Sequence, residues 1–559
     1  MLWCPPALLY YPYPKGGVYD GQENFTKTLI FSAWKLVPKM IATLVSYEAE
    51  KMSIGKLPNE EGVKYFVDKR VANQGDTARR PLRRLVFAKD EKNMTTLLLA
   101  YPSRSLANIA DPLQFINQGR YFKQIMKPFV DNLQNRIMDF CALNGSSEDR
   151  EGTHISWSYP MVSDWEFDNS WLGMDLNKIG KDNKESRLTT DYIPKLRKIV
   201  QKKELPVFPQ KPTKNEVLRQ ANIMVLLAFG SPAICAYRAL KRYYSDDRGM
   251  LSAAFRIGLA FIDMFNKPES IAAVELQYQS KMEYWQKVLW YCVDGNLQAV
   301  LDEYVLLLRN DYDDIEGLTS ALCRALTIRT TRMKVDDAAS FCKNEPEDED
   351  VRHNMRSHFA AAFGINAKSN QGSEVRATNI REAFNSPFRP FVLATTSIGQ
   401  EGLDFHWYCR RIIHWNLPNN PIDFEQREGR INRYRGKVIR QRVAEKYGNN
   451  VEGLNNPWDS LFAYAEQDKM SAKFQCDIVP NWHFDSNGVS IERIVPLYQF
   501  SQDIQRYENM KHILGLYRLT FGQPRQEELA EALDCSLTSD EIDRLLIDLC
   551  PMRQKIGDR

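Results

Sequence analysis

The sequence has no two cysteines at the C-x-x-C spacing that zinc sites and redox motifs use. Its ten cysteines lie singly, and most stand inside apolar runs, as Cys235, Cys292 and Cys323 do. The seven histidines add no spacing typical of metal ligands. This pattern argues against a disulfide framework and a zinc site, and it predicts buried, reduced thiols in a cytoplasmic protein.

The sequence also lacks an excess of charge of one sign, because 74 Lys and Arg stand against 71 Asp and Glu, a net charge of +3. Any nucleic-acid surface must therefore be a local patch. Arg79-Arg80 and Arg83-Arg84 form one basic cluster. It could grip a duplex backbone through counterion release, or it could be a solvated basic loop.

No apolar run reaches the ~20 uninterrupted residues that a membrane-spanning helix needs. The most hydrophobic window, residues 222–240, contains Gly230, Ser231 and Pro232 at its centre. We predict a buried helix that breaks at these three residues, and no membrane contact. The first residues show no basic lead, apolar stretch and small-residue cleavage site in succession, so no secretory leader is predicted.

A further absence concerns phosphate binding, because no G-x-x-x-x-G-K-[ST] loop (Walker A) occurs. The Gly-Lys pairs at Gly55, Gly180 and Gly436 are not followed by Ser or Thr and have no glycine five residues earlier. A D-E-x-D string at residues 540–543 could suggest a Walker B motif, but no apolar strand precedes it. Ser539 followed by acidic residues is typical of a helix N-terminus. The chain by itself is therefore not expected to hold or hydrolyse ATP.

Two motifs that are present lie close together between residues 391 and 436. The first is a predicted strand at 391–394 followed by hydroxyl side chains and a glycine-containing turn: Thr395, Thr396, Ser397, Gly399, Gln400, Gly402 and Asp404. Polar residues at the end of a strand in a parallel sheet stand where ligands collect. The sequence therefore predicts a binding site at this turn.

The second motif is a predicted helix that begins at Pro421. Gln426, Arg430 and Arg433 follow at spacings of four and three residues and would share one face. Arginine keeps its charge and can hold phosphoryl oxygens bidentately. Two arginines on one helical face predict a phosphate clamp.

These strings, TTSIGQEGLDF and QREGRINRYRG, resemble motifs V and VI of superfamily 2 helicases, most closely the Swi/Snf-type translocases and their bacterial relatives. A third string, KTLIFSAW at residues 27–34, resembles the motif IV strand that opens the second RecA-like domain. The resemblance implies an α/β fold, namely a parallel-sheet RecA-like helicase C-terminal lobe.

The resemblance also implies roles for individual residues. Arg430 and Arg433 would act as arginine fingers on ATP bound to the other lobe, with Gln426 as their polar companion. The residues of the nucleotide-coupling turn would be Gly399, Gln400, Gly402 and Asp404. The residues that contact nucleic acid would be Ser32, Trp34, Thr395, Thr396 and Ser397.

Each assignment has a structural alternative. Arg430 and Arg433 could form surface salt bridges with Glu425 and Glu428. The hydroxyls at 395–397 could cap a helix, and Asp404 could be an ordinary turn residue. His406 and His414 are predicted to be structural.

The predicted lobe is discontinuous, formed by residues 25–51 and 351–445. A large, mainly α-helical insertion at 52–350 would separate its two parts, with a loop-rich first half and long helices in the second half. Residues 1–24, rich in Pro and Tyr, resemble an interlobe connector, although Trp3 and four tyrosines suggest packing. Residues 446–559 would form a helical extension that braces the lobe.

These observations lead to two hypotheses. In the first, the chain is the C-terminal half of an ATP-dependent helicase or DNA translocase, and ATP and Mg²⁺ are held mainly by a first lobe supplied in cis or in trans. The similarity to bacterial Swi/Snf-like proteins favours double-stranded DNA over RNA. In the second, the chain is a non-catalytic adaptor that binds nucleic acid or protein through a remnant lobe. An adaptor would not need both arginines and the glycine turn.

Overall fold

The computed structural model describes residues 1–57, 83–87, 95–146, 159–160, 163–164, 208–209, 212–328, 332–335, 353–356, 358–363, 371–396, 403–451, 456–471, 477–484 and 488–545. The strands are β1 Lys27–Phe31, β2 Gly145–Ser146, β3 Phe208–Pro209, β4 Arg332–Val335, β5 His353–Arg356, β6 Ala360–Phe363, β7 Val392–Thr395, β8 Cys409–His414 and β9 Glu492–Ile494. The helices are α1 Val37–Ser53, α2 Thr95–Ala100, α3 Arg104–Ile109, α4 Phe122–Asn144, α5 Lys214–Gly230, α6 Pro232–Lys241, α7 Asp247–Phe265, α8 Pro268–Gln277, α9 Tyr284–Asp294, α10 Leu297–Leu308, α11 Ile315–Leu326, α12 Gln371–Phe384, α13 Pro421–Glu428, α14 Lys437–Tyr447, α15 Pro457–Ser471, α16 Asp503–Thr520, α17 Gln526–Asp534 and α18 Ser539–Leu545.

Five of these strands form one parallel sheet in the order β6-β7-β1-β8-β9. The central strand β1 is buried at every position, as expected for a parallel strand with both faces covered. Leu29 and Phe31 pack on one face of the sheet, and Ile30 packs on the other face against Ile41 of α1. The predicted α/β fold with a parallel sheet, consistent with a RecA-like helicase C-terminal lobe, is confirmed.

Strand β1 pairs with β7 and β8 although more than 350 residues of chain separate them. Thr28 aligns with Val392, and Phe31 aligns with both Thr395 and His414. The sheet therefore combines strands from both sides of the insertion. Its fifth strand, β9, lies beyond residue 445, so the lobe's sheet extends into the part of the chain predicted to be a helical extension.

The exposed face of helix α1 carries an apolar stripe, whereas the opposite face packs on the sheet. Met40 and Leu44 recur at helical spacing, but both side chains are exposed, at 47% and 55%. The face that packs on the sheet carries Ile41, Ala42 and Ser46. An apolar stripe is thus left on the surface beside the carboxyl ends of the strands.

Helices α2 to α11 build the insertion around the largest hydrophobic core. The predicted break at Gly230-Ser231-Pro232 is confirmed, because α5 ends at Gly230 and α6 begins at Pro232. Within the described ranges, no single helix is long and apolar enough to cross a membrane, and the α5–α6 pair passes that test only as a unit bent by 46°. The first half of the insertion, predicted to be loop-rich and mixed, contains one long helix, α4, of 23 residues.

Residues 1–24 pack into the insertion. The Trp3 side chain is fully buried, and its indole N–H donates to the Gly295 carbonyl at 2.9 Å. The Tyr10 hydroxyl donates to Asp302 at 2.5 Å, and the Tyr11 hydroxyl donates to the Val293 carbonyl at 2.9 Å. The expected packing of this aromatic segment is confirmed, and its contacts are with α9 and α10.

The C-terminal residues also contact the lobe through α16, which packs on α13. Phe424 of α13 and the preceding Leu417 form a small apolar cluster with Met510 and Leu514 of α16. The final helix begins as predicted at the D-E-x-D string, although its cap is Thr538 and not Ser539. The string is therefore a helix N-terminus.

Candidate functional site

The helix that begins at Pro421 is shorter than the sequence pattern predicts. The Asn420 side chain caps its start by accepting from the Ile422 amide at 3.0 Å, and α13 ends at Glu428. Of the three predicted clamp residues, only the exposed Gln426 lies on the helix. The prediction that Gln426, Arg430 and Arg433 share one helical face is wrong.

The backbone explains where the helix stops. The Arg430 amide donates to the Arg427 carbonyl at 3.2 Å, a tighter turn than an α-helix makes. The Arg430 carbonyl accepts from the Phe405 amide at 2.9 Å. This hydrogen bond takes the place of one that a further helical turn would make. Arg430 is therefore held against the segment that leads into β8.

Arg433, in the loop after α13, forms an ion pair with Asp404. The distance from Arg433 Nε to Asp404 Oδ1 is 3.0 Å, and the two side chains are 36% and 45% exposed. The Asp404 carbonyl accepts from the Asn385 side-chain amide at 2.7 Å, which fixes the backbone of the pair. The structure thus brings together one residue from each predicted motif in an ion pair whose side chains are partly exposed, although Arg433 Nε itself is buried.

The glutamates that could have paired with the two arginines have other partners. Glu425 forms an ion pair with Arg518 of α16. Glu428 pairs with Arg493 of β9, with Nη2 to Oε2 at 2.6 Å. Both partners come from the C-terminal residues, so the predicted alternative of surface salt bridges along the helix does not describe this region.

A buried arginine outside the predicted motifs anchors the same loop. Arg440 of α14 is fully buried. One of its guanidinium nitrogens donates to the Arg435 carbonyl at 2.6 Å, and the other donates to the Trp407 carbonyl. Its Nε donates to Glu303 of α10 at 2.7 Å. Arg440 therefore links the loop that carries Arg433 to the helical insertion.

Around this anchor, one buried carboxylate, Glu303, faces two buried cations, Lys437 and Arg440. Burial alone would raise the pKa of Glu303, but the positive charges of Lys437 and Arg440 reverse this effect and hold the pKa below its usual value. Burial, followed by the charges of Arg440 and Arg433, lowers the pKa of His406 to about 3. His406 is therefore a neutral ring near pH 7, as expected for a structural histidine.

Four of the five predicted nucleic-acid residues are described, and these four lie at the carboxyl ends of the strands. The Ser32 amide donates to the Thr395 carbonyl at 3.0 Å, and the Ser32 hydroxyl donates to Asn416 Oδ1 at 2.9 Å. Ser32, Thr395 and Thr396 are buried, whereas Trp34 is 61% exposed. Among these four residues, Trp34 presents the open surface.

The predicted site is therefore divided between two edges of the sheet. Thr395 ends β7 at the carboxyl edge. The Lys27 amide, at the start of β1, donates to the Tyr408 carbonyl at 3.0 Å, so the segment from Asp404 to Tyr408 lies at the amino edge. Arg433 accompanies Asp404 there through their ion pair. Glu428, two residues before Arg430, instead contacts His414 at the carboxyl end of β8. The remaining predicted residues, Ser397, Gly399, Gln400 and Gly402, lie outside the described residues.

The basic cluster is described only in part, because Arg79 and Arg80 also lie outside the described residues. Arg83 and Arg84 are exposed, and the Arg84 amide donates to Asn266 at 3.1 Å. No group of three His, Cys, Asp or Glu that could hold a metal occurs among the residues that the structure describes. All seven described cysteines are free thiols.

Comparison with protein families supports a helicase lobe. Residues 328–435 match the model of the helicase conserved C-terminal domain. The match contains Asp404, Arg430 and Arg433, and it begins after β1, whose place in the sheet is known from its pairing with β7 and β8. Searches of curated proteins and of solved structures give no significant match.

Proposed function

We propose that this chain is the C-terminal half of an ATP-dependent superfamily 2 helicase or DNA translocase, of the Swi/Snf-like kind. The observation that carries the proposal is the partly exposed Arg433–Asp404 pair beside Arg430, inside the segment that matches the helicase C-terminal domain. Arginine fingers act across a cleft on a nucleotide that another body holds. The chain would supply these fingers to a first lobe.

Asp404 would hold Arg433 ready for this role. An exposed ion pair contributes only ~0–1 kcal/mol, so the pair can open at little cost. Phosphoryl oxygens, which bind a guanidinium bidentately, would compete for it. We therefore assign Asp404 the role of positioning Arg433, with Arg430 held beside it by the Phe405 amide.

ATP and Mg²⁺ would be held mainly by the first lobe. The guanidinium groups of this chain fit phosphoryl oxygens, but the sequence has no Walker A loop, and no acidic cluster suited to a metal occurs in the described ranges. When bound, MgATP supplies the phosphoryl group whose hydrolysis drives movement. This chain's part is to place positive charge next to that group.

The surface at the start of α1 is suited to contact with another lobe. It exposes four apolar side chains in succession: Trp34 at 61%, Leu36 at 66%, Met40 at 47% and Leu44 at 55%. An apolar stripe of this kind on a globular protein often marks an interface. We propose that the stripe contacts the first lobe or the nucleic acid that runs between the lobes, which for this chain would be double-stranded DNA.

The test is ATP hydrolysis by a reconstituted pair. The second component is a polypeptide that carries Walker A and Walker B motifs and would supply the first lobe. Turnover is measured for each component alone and for both together, with and without duplex DNA. We expect DNA-stimulated hydrolysis only with both components.

Two results would contradict this proposal. Hydrolysis by this chain alone would mean that it holds a nucleotide site of its own. If adding the chain does not change turnover by the other component, the chain acts as a non-catalytic adaptor for nucleic acid or protein.

A further inference from the structure

A cavity of about 730 Å³ opens in the helical insertion, apart from the parallel sheet. It lies between the N-terminal segment around Gly16, the first turn of α4, the end of α8 and the end of α9. Its size is within the ~300–1,000 Å³ range of pockets that bind small organic molecules. None of its lining residues belongs to the site proposed above.

Aromatic side chains form the walls of this cavity. Tyr11, Tyr121, Phe122, Tyr278 and Trp290 all line it. Phe122 meets Trp290 edge to face at 5.9 Å and also contacts Tyr11 at 5.8 Å. Rings fixed in this way can stack on a planar group without first being ordered.

One acidic group, Asp294, lines the cavity at the end of α9. The Tyr278 hydroxyl donates to its Oδ2. Burial raises the pKa of Asp294 to about 6, which leaves most of the carboxylate ionised at pH 7. Within the described chain no hydrogen bond to Oδ1 is found, so this oxygen can accept from a ring N–H or an amino group of a ligand.

Two lysines complete the lining. Lys15 and Lys123 are exposed at the cavity, and both carry positive charge. Their charge opposes a cationic ligand such as a quaternary ammonium group, which aromatic walls would otherwise suit. It favours a ligand with a planar aromatic part and an anionic part.

We propose that this cavity binds one nucleotide unit, with its base between the aromatic walls and its phosphate at Lys15 and Lys123. Asp294 would accept a hydrogen bond from the base, which favours bases that present an amino group or a ring N–H. The unit could be a free nucleotide or an unstacked nucleotide of a single strand. Both present the same chemistry, and stacking on aromatic side chains is worth ~1–3 kcal/mol per base.

The test measures binding to the full-length chain by calorimetry, without ATP or a second polypeptide. The probes are free deoxynucleoside monophosphates, the shortest single-stranded oligonucleotide that binds, and the same oligonucleotide with one base removed. Binding of the monophosphates would show that the cavity takes a free nucleotide. Binding of the oligonucleotide that falls at least about fivefold when the base is removed indicates an unstacked base.

The variants are Lys123→Glu and Tyr121→Ala, whose side chains are exposed. The matched control is Lys127→Glu, because Lys127 is exposed one helical turn further along α4 and does not line the cavity. We expect both cavity variants to weaken binding by about tenfold or more, and the control to change it by less than about threefold.

Equal losses in Lys123→Glu and Lys127→Glu, or no binding of any probe, would overturn the proposal. Because the measurement involves neither ATP nor a partner, failure here leaves the proposed translocase function standing, and failure of that function leaves this site standing.

Discussion

Arg440 of α14 and Glu303 of α10 form an ion pair at 2.7 Å in which both side chains are completely buried. The second carboxylate oxygen of Glu303 accepts from the Ala7 amide at 2.8 Å, and Lys437 lies 3.9 Å from the first. The N-terminal segment, the insertion and the lobe therefore meet at one carboxylate. Arg440, which bonds this carboxylate, also donates to the Arg435 carbonyl and so fixes the loop that carries Arg433.

The first prediction concerns this carboxylate. Glu303→Gln leaves the charges of Arg440 and Lys437 buried without their counter-charge, which typically costs about 3–5 kcal/mol of folding free energy. Urea denaturation followed by circular dichroism measures the loss. Glu508→Gln is the control, because Glu508 pairs with Lys511 at the surface, with side chains 58% and 48% exposed. Its cost should stay below about 0.5 kcal/mol. Equal losses in the two variants would show that the buried network does not stabilise the fold.

The second prediction separates positioning from stability at Asp404. The control is Asp459, which pairs with Arg309 at 3.3 Å with almost the same exposure, 35% and 42%. Asp404→Asn and Asp459→Asn should each cost less than about 1 kcal/mol of stability. In the reconstituted pair, only Asp404→Asn should reduce ATP turnover, by about tenfold, because Arg433 loses the group that orients it. Equal turnover in the two variants would remove Asp404 from the mechanism.

The third prediction concerns acid stability at the contact between α8 and the lobe. Glu269 pairs with Arg389 at 2.7 Å. Burial alone would raise the pKa of Glu269, but the charges of Arg389 and His358 lower it from 4.5 to about 2. The stabilisation is therefore complete above pH 4.5 and is lost as the pH falls toward 2.

Glu269→Gln should consequently be less stable than the native chain at neutral pH, and the difference should narrow as the pH falls below 4.5, by at most ~1.4 kcal/mol per pH unit. Urea midpoints measured at intervals from neutral pH to pH 3 test this. Glu48→Gln, in an exposed pair with Lys51, serves as the control. A difference that stays constant with pH would contradict the low pKa of Glu269.

The sequence identified β1 and β7 because each contains a short apolar run that is buried in the sheet. It could not identify β9, which has three residues, two of them charged. This strand is held by parallel pairing with β8 and by ion pairs of Glu492 with Arg410 and Arg411. Such tertiary contacts leave no periodic pattern in the sequence. Helix α4 was not predicted, and its interior contains Pro128, a residue that usually interrupts a helix.

The candidate site was predictable as a set of motifs but not in its geometry. Helical spacing placed Arg430 and Arg433 on α13, yet Gly429 follows the last helical residue, and glycine is common where helices end. The partner of Arg433 and the anchoring role of Arg440 depend on residues far away in the chain. Neither Asn416 nor Arg440 belongs to a motif that the sequence analysis used.

The central claim is that Arg430 and Arg433 act on a nucleotide held by a first lobe, supplied in cis or in trans. The most direct test is the steady-state kinetics of ATP hydrolysis by the reconstituted pair with duplex DNA. Arg506→Ala is the control, because it removes the same charge from an exposed site on α16.

Arg430→Ala and Arg433→Ala should each lower kcat by about a hundredfold or more, because each removes positive charge from the transferring phosphoryl group. The KM for ATP should change little, because the partner holds most of the nucleotide, and Arg506→Ala should change neither constant. If kcat for both arginine variants equals that of the control, these residues are not arginine fingers and the account is wrong.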